Sequence, residues 1–256
     1  MKIILLTNDD GIMSPGLQAL KEFLSTAYDS QYDIWVVAPD RERSGVSMSI
    51  TINQPLRLAS RGEKEHAVNG TPVDCINIAL QKILPQWPDF IISGMNEGEN
   101  LCEDVFFSGT VSAAYIGHLY GIPSLAASLI PDKKTGTFNY EAGARTTATV
   151  LGKLLPLNNT TVVYNLNIPS VNTGQLKVTS LGLKRYKPTI VERTDPRNRK
   201  YYWIGTGEPK AEGEQGTDLQ AAADGHISLS ILKYDLNAPG ELSRLAEVFN
   251  DSEGKN

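Results

Sequence analysis

Ile3-Ile4-Leu5-Leu6-Thr7-Asn8-Asp9-Asp10-Gly11 is the stretch whose reading decides the fold. Four apolar residues run without a break and stop at a polar, turn-forming cluster. A half-buried strand would alternate; a short unbroken run suits a strand covered on both faces, as in a parallel sheet. Outward from it, Leu17, Leu20 and Leu24 recur at helical spacing, and Ile34-Trp35-Val36-Val37-Ala38, closed by Pro39, repeats the buried-strand pattern. Thr71 as cap and Pro72 at the first position predict a helix over 72–84. Strands are expected over 89–93, 124–128 and 161–165, and helices over 109–119 and 141–155. Strands alternating with helices imply an α/β fold, a mainly parallel sheet between two helical layers. In such sheets ligands lie beyond the carboxyl ends of the strands.

The 256 residues suffice for one large α/β domain, and 41% hydrophobic with 21% charged residues is ordinary for a packed core. After about residue 181 the character changes. That segment is polar and carries Arg185, Arg193, Arg197, Arg199 and Lys200, followed by an alternating stretch over 227–232 and a helical pattern over 241–249. The expected organisation is a core over 1–181, with hairpins, an arm and a terminal helix over 182–256. A net charge of -5 argues against a nucleic-acid polymer as partner, because polymer binding draws on many cationic contacts. Cys75 and Cys102 have no metal-like spacing and read as free thiols of a reducing compartment. The apolar run at the start is too short for a signal-peptide core, and no stretch reaches the length of a membrane span. The expectation is a soluble cytoplasmic protein with no membrane partner.

Four clusters follow expected strands or open an expected helix. Asp9 and Asp10 lie where the chain turns, so both carboxylates can meet one hard cation such as Mg²⁺ or Mn²⁺. The same residues also fit an Asx-turn in which Asp10 caps and Gly11 turns. Asp40-Arg41-Glu42-Arg43-Ser44-Gly45 offers a hydroxyl and a glycine, or simply a solvated loop. Ser93-Gly94-Met95-Asn96-Glu97-Gly98 offers a neutral amide oxygen at Asn96, or a plain turn. Ser108-Gly109-Thr110 opens a helix, where free N–H groups suit a phosphate as well as an ordinary cap. Each signal is weak alone. Together they collect oxygen ligands and phosphate donors beyond three strands of one sheet. There is no dinucleotide fingerprint, Walker loop or His-Glu-x-x-His motif, and His66, His118 and His226 are scattered.

These residues resemble the SurE survival-protein family. The resemblance rests on Ile4 to Gly11, Ala38 to Ser49, Gly70-Thr71-Pro72-Val73-Asp74-Cys75, Ser93 to Asn100 and Asp104 to Ala114. It continues through Arg193-Thr194-Asp195-Pro196-Arg197, Tyr201-Tyr202-Trp203 and Gly216-Thr217-Asp218. It implies a Rossmann-like three-layer core and one divalent cation per subunit, Mg²⁺ or Mn²⁺, held by Asp9, Asp10, Ser44 and Asn96. The implied reaction is hydrolysis of nucleoside 5′-monophosphates, with 3′-esters and polyphosphate as a wider range left open. Asp9 and Asp10 take the catalytic roles. Asn8, Gly45, Asn96, Ser108, Gly109 and Thr110 are the expected substrate and phosphate contacts. Dimers or tetramers built by exchange of C-terminal elements are implied as well. Met48 and Cys102 depart from the family's usual residues, but neither replaces an implied ligand. Two rival readings remain open. A covalent aspartyl-phosphate enzyme would need Asp-x-Asp, where this chain has Asn8-Asp9-Asp10. A nucleotide sensor would have to seat phosphate against clustered carboxylates.

Overall fold

The computed structural model describes residues 1–186, 188–206, 210–212 and 214–250. The apolar run becomes β1 (Lys2–Thr7), and both its faces are covered. Ile4 and Leu6 meet α1 (Pro15–Ala27), while Leu5 meets the opposite layer. The elements β2 (Tyr32–Pro39), β3 (Leu58–Gly62), β4 (Glu65–Val68), α2 (Pro72–Ile78), β5 (Phe90–Glu97), α3 (Gly109–Leu119), β6 (Ser124–Ile130), α4 (Tyr140–Leu154) and β7 (Val163–Pro169) follow in order. Helices α1 and α4 pack on one face of the sheet and α2 and α3 on the other, so the fold is the expected three-layer α/β/α arrangement.

The rest of the chain is β8 (Leu176–Thr179), β9 (Leu183–Arg185), β10 (Pro188–Thr194), β11 (Lys200–Thr206), β12 (Lys210–Glu212), α5 (Asp218–Ala223), β13 (Ile227–Leu232) and α6 (Pro239–Asn250). Among the described residues the main sheet runs β3-β4-β2-β1-β5-β6-β7-β13-β8. The strands from β4 to β7 are mutually parallel; β3 pairs antiparallel to β4, and β13 antiparallel to β7. From β1 the chain first builds outward through β2, then crosses to β5 on the other side. The switch in strand order therefore falls between β1 and β5, where the carboxyl edge opens a crevice.

Three expectations change. The helix over 72–84 is regular only to Ile78 and ends in a wider turn, Ala79–Ile83. The hairpin β3–β4 has no counterpart in the sequence reading, because β3 is exposed along its whole length and shows no apolar pattern. The strand over 227–232 was expected with the arm. As β13 it lies inside the main sheet between β7 and β8, with five of its six residues buried. The segment 182–256 is therefore divided between core and projection: among the described residues the antiparallel hairpin β10–β11, the antiparallel pair β9–β12 and helix α6 lie outside the main sheet. The hairpin turn is closed by Asp195, whose Oδ1 accepts from the amides of Arg197 and Arg199, each at 2.9 Å. The end of the segment expected over 182–256, beyond residue 250, lies outside the described residues. No described helix is long and apolar enough to cross a membrane.

Candidate active site

Because β1 ends beside β5, Asp9 and Asp10 emerge at the switch point. Asp9 is only 4% exposed. Its main-chain carbonyl accepts from the Arg43 amide at 2.7 Å, which ties the β1 turn to the loop after β2. Burial pushes the Asp9 carboxyl above its ordinary value, against the pull of the Thr110 hydroxyl and of amides that include Gly109 and Thr110. Asp10 is half-buried, and its Oδ2 accepts from the Glu97 amide at 3.1 Å. Burial first, and the Asp9 charge second, push the Asp10 carboxyl up to about 7. Two desolvated carboxylates side by side favour a proton or a cation between them.

Asn96 reaches the same crevice because β5 bulges. Ser93 pairs with Ala126 but Asn96 with Ser128, so β5 carries one extra residue there. A bulge re-aims the side chains that follow it. Gly94 makes it feasible: its φ is +139°, and a Cβ would lie 2.2 Å from the Ala127 carbonyl oxygen. The Asn96 amide nitrogen donates to the Gly98 carbonyl at 2.8 Å, and Oδ1, with only a long 3.4 Å contact from the Thr110 hydroxyl, is the oxygen that could face a cation. Ser44 and Gly45 sit on the exposed loop after β2, and the Ser44 hydroxyl donates to Glu42 Oε1 at 2.7 Å.

The N-terminus of α3 meets this group from the opposite layer. Ser108 caps it, accepting from the Val111 amide at 3.1 Å. Thr110, expected to face phosphate, is fully buried, and its hydroxyl donates to Asp9 Oδ1. Gly109 lies flat against the same carboxylate, since a Cβ would come within 2.9 Å of both Asp9 Cβ and Oδ2. The anion held at this helix start is Asp9 itself. Asn8 is buried, and its amide nitrogen donates to the Gly11 carbonyl at 2.9 Å and the Ser14 hydroxyl at 2.7 Å, which holds the turn.

The crevice continues as a cleft of about 1040 Å³, whose walls include Asp9, Asp10, Ser44, Gly45, Asn96 and Ser108. Glu42 and Glu97 also line it, members of two expected clusters that were given no role of their own, and Glu103, Lys184, Tyr186, Phe106, Phe107 and Ile204 were not singled out from sequence. Lys184 is 8% exposed and pairs with Asp104 at 2.6 Å and Glu99 at 3.6 Å. Its burial works against its charge, yet Asp104 and Glu99 hold its pKa above the ordinary lysine value. Such residues carry no local signal, because Lys184 finds its partner 80 positions away. The exposed phenylalanines are the one feature that could have been noticed, as adjacent aromatics in a polar loop. Among the described residues six carboxylates line the cleft, those of Asp9, Asp10, Glu42, Glu97, Glu103 and Asp104, against the one ammonium of Lys184. No three His, Cys, Asp or Glu side chains converge among the described residues. A cation here would draw on the Ser44 hydroxyl and the Asn96 amide oxygen beside the two aspartates, an all-oxygen set that suits Mg²⁺ or Mn²⁺.

Comparison with known proteins identifies the family. The family model described as survival protein SurE matches residues 4–188. The chain is 42% identical over 255 residues to the 5′-nucleotidase SurE of Geotalea daltonii, covering 96% of this chain and 99% of that protein. It is 42% identical over 244 residues to the 5′-nucleotidase SurE of Heliobacterium modesticaldum, covering 91% and 86%. The crystal structure of the SurE protein from Aquifex aeolicus superposes with a TM-score of 0.82 at 35% identity, over 96% of this chain and 99% of that one. With the crevice at the β1–β5 switch and a match along nearly the whole length, the chain belongs to the SurE survival-protein family.

Proposed function

We propose that this chain is a divalent-cation-dependent phosphomonoesterase that hydrolyses nucleoside monophosphates to nucleoside and phosphate. The supporting observation is the meeting of Asp9, Asp10 and Asn96 at the switch point, in a cleft too acidic to seat a phosphate ester without a cation. The names carried by relatives more than 40% identical point the same way. Asp9, Asp10, Ser44 and Asn96 hold the cation. When bound, a divalent cation offsets charge on the phosphoryl oxygens and makes nearby water more acidic. Asp10, the less buried of the two aspartates, orients the attacking water. Gly45 and Ser108, which line the cleft beside the ligands, face the phosphate. The exposed rings of Phe106 and Phe107, with Ile204 opposite, provide an apolar wall for a base. In the reaction the phosphorus–oxygen bond to the nucleoside breaks, one to water forms, and the proton released by water ends on the nucleoside hydroxyl.

A subunit contact belongs to the same reading. The hairpin exposes Ile190, Tyr202, Trp203 and Ile204, and α6 exposes Leu242, Leu245 and Phe249. A homodimer or homotetramer would cover them. The activity is tested with 5′-AMP, 3′-AMP and an aryl phosphate, each with Mg²⁺, Mn²⁺ or Co²⁺ and after chelation. Turnover abolished by chelator, with ¹⁸O from water appearing in phosphate and no trapped phosphoenzyme, is expected. Turnover that survives chelation would overturn the cation, a trapped aspartyl phosphate would favour the covalent rival, and tight nucleotide binding without turnover would favour a sensor.

A further inference from the structure

Thr110 makes an unusual use of a helix start. It is the second residue of α3, it is fully buried, and it is not part of the cleft wall. Its hydroxyl donates its single proton to Asp9 Oδ1, and the hydroxyl oxygen lies 3.4 Å from Asn96 Oδ1. One hydroxyl thus stands between two of the proposed cation ligands, one from the end of β1 and one from the bulge of β5. With its proton directed to Asp9 in the shorter contact, it gives the Asn96 oxygen only a long one, and the Asn96 amide nitrogen is already bound to Gly98. Gly109 closes the remaining side of the carboxylate without a side chain.

We propose that Thr110 is a positioning residue for the cation: its hydroxyl fixes the rotation of the Asp9 carboxylate against Asn96, so that both oxygens are set before the cation arrives. This rests on the metal reading above. Groups that orient a metal ligand from behind govern affinity through the ligand's freedom to rotate. The role requires a donor at this point and no more, so serine should replace threonine and valine, which has its shape, should not.

The test measures Mn²⁺ binding by calorimetry to the substrate-free, metal-stripped full chain, with melting curves recorded for each variant. Thr110→Val should weaken binding about 10- to 100-fold and Thr110→Ser should stay within about threefold of wild type. If the added methyl of Val unfolds the protein, Thr110→Ala against Thr110→Ser gives the same comparison. Wild-type Mn²⁺ affinity in a folded Val or Ala variant, while Asp9→Asn loses binding, would overturn the positioning role and leave the metal site standing. Wild-type affinity in Asp9→Asn as well would overturn the metal site and the positioning role together.

Discussion

The carboxyl edge of the sheet and the projecting hairpin invert the ordinary rule of burial in opposite senses. At the edge, polar side chains are inside: Asn8, Asp9, Thr110, Asn100, Asn165 and Asn167 are all buried. Along β10–β11 and α6, apolar side chains are outside, with Trp203 63% and Ile204 82% exposed. Buried polar groups are tolerable where partners satisfy them. The Asn100 amide nitrogen donates to Ser128 at 2.8 Å, its main-chain N–H to Asn167 at 2.8 Å, and its carbonyl accepts from Asn165 at 2.8 Å. An exposed apolar patch is tolerable where something covers it. The first region is thus built to hold a geometry and the second to meet another surface. Asp218 stands where they join, fully buried, accepting from the Cys102 amide at 2.9 Å and the Gly182 amide at 2.7 Å.

The largest effect should come from the edge. Asp9→Asn or Asp10→Asn is expected to lower turnover on the order of 10³-fold or more while the fold survives, since each removes a charge that would face the cation. Steady-state rates with saturating Mn²⁺ check this. Near-wild-type turnover in both would mean that the buried carboxylates serve only the turn.

Next in size is the buried pair on the far wall of the cleft. Lys184→Met strands Asp104 and Glu99 without their cation, and removing one member of a buried pair costs roughly 3–5 kcal/mol. Denaturant unfolding measures it. A loss below 1 kcal/mol would place this pair with the surface bridges and blur the contrast between the two regions.

The same edge makes a pH prediction for the metal-free protein. Asp10 titrates near 3.8 when unfolded and about 7 when folded. The folded state then binds the proton more tightly, so stability present below pH 4 is lost as pH rises toward 7. Asp10→Asn escapes that loss. At pH 8 the variant should be more stable than wild type by roughly 2–4 kcal/mol, and the gap should close near pH 4. Adding Mn²⁺ should stabilise wild type and not the variant. Equal stability at pH 8 without metal would show that Asp10 is solvated well enough to ionise freely.

How far the sequence announced each region follows from where its partners lie. The run Ile3 to Leu6 and the helix at 109–119 were legible because periodicity and caps are local, and α3 begins and ends where predicted. Asp9, Asp10, Ser44 and Asn96 were picked out as residues near the ends of expected strands, and all four line the same cleft. What Thr110 does was not, because its partner Asp9 is 101 positions away and a cap looks the same whether it faces phosphate or carboxylate. The strand expected over 161–165 stops at Asn165, yet β7 continues to Pro169 and carries both Asn165 and Asn167 inward, buried against Asn100. The alternating stretch at 227–232 fits an edge strand equally well in an arm or in the sheet. Its register with Leu166 and Val178 decides, and no local pattern carries that.

On the hairpin the effects should be on association. Tyr202→Ser with Trp203→Ser removes two exposed aromatics of the kind that anchor interfaces, each worth roughly 2 kcal/mol when covered by a partner. Light scattering should then show smaller particles than the full-length wild type, with the melting of the core unchanged. A monodisperse wild-type monomer at micromolar concentration would show that nothing covers these rings. An unchanged oligomer in the double variant would move the contact to α6 or to the sheet itself.

The smallest effect expected is at the tip of the same hairpin, and it sharpens the contrast with Lys184. Arg199 and Asp195 also form an ion pair, at 2.9 Å, but the Arg199 side chain is 72% exposed where that of Lys184 is 8% exposed. Water solvates this guanidinium nearly as well alone as paired, and salt screens what attraction remains. Asp195 matters more than its partner, because its carboxylate also accepts from the Arg197 and Arg199 amides and so closes the turn between β10 and β11. The Arg199 amide is the first reason its pKa lies below the ordinary value, with the Arg199 side chain and then the Arg197 amide as lesser ones. Arg199→Ala leaves both amide contacts in place and should shift Tm by less than about 1 °C. Asp195→Ala opens the turn and should shift it more, and raising ionic strength should narrow the gap little, since the amide bonds are not screened. A larger effect from Arg199→Ala than from Asp195→Ala would mean that the guanidinium has a second partner at this tip, such as a neighbouring subunit.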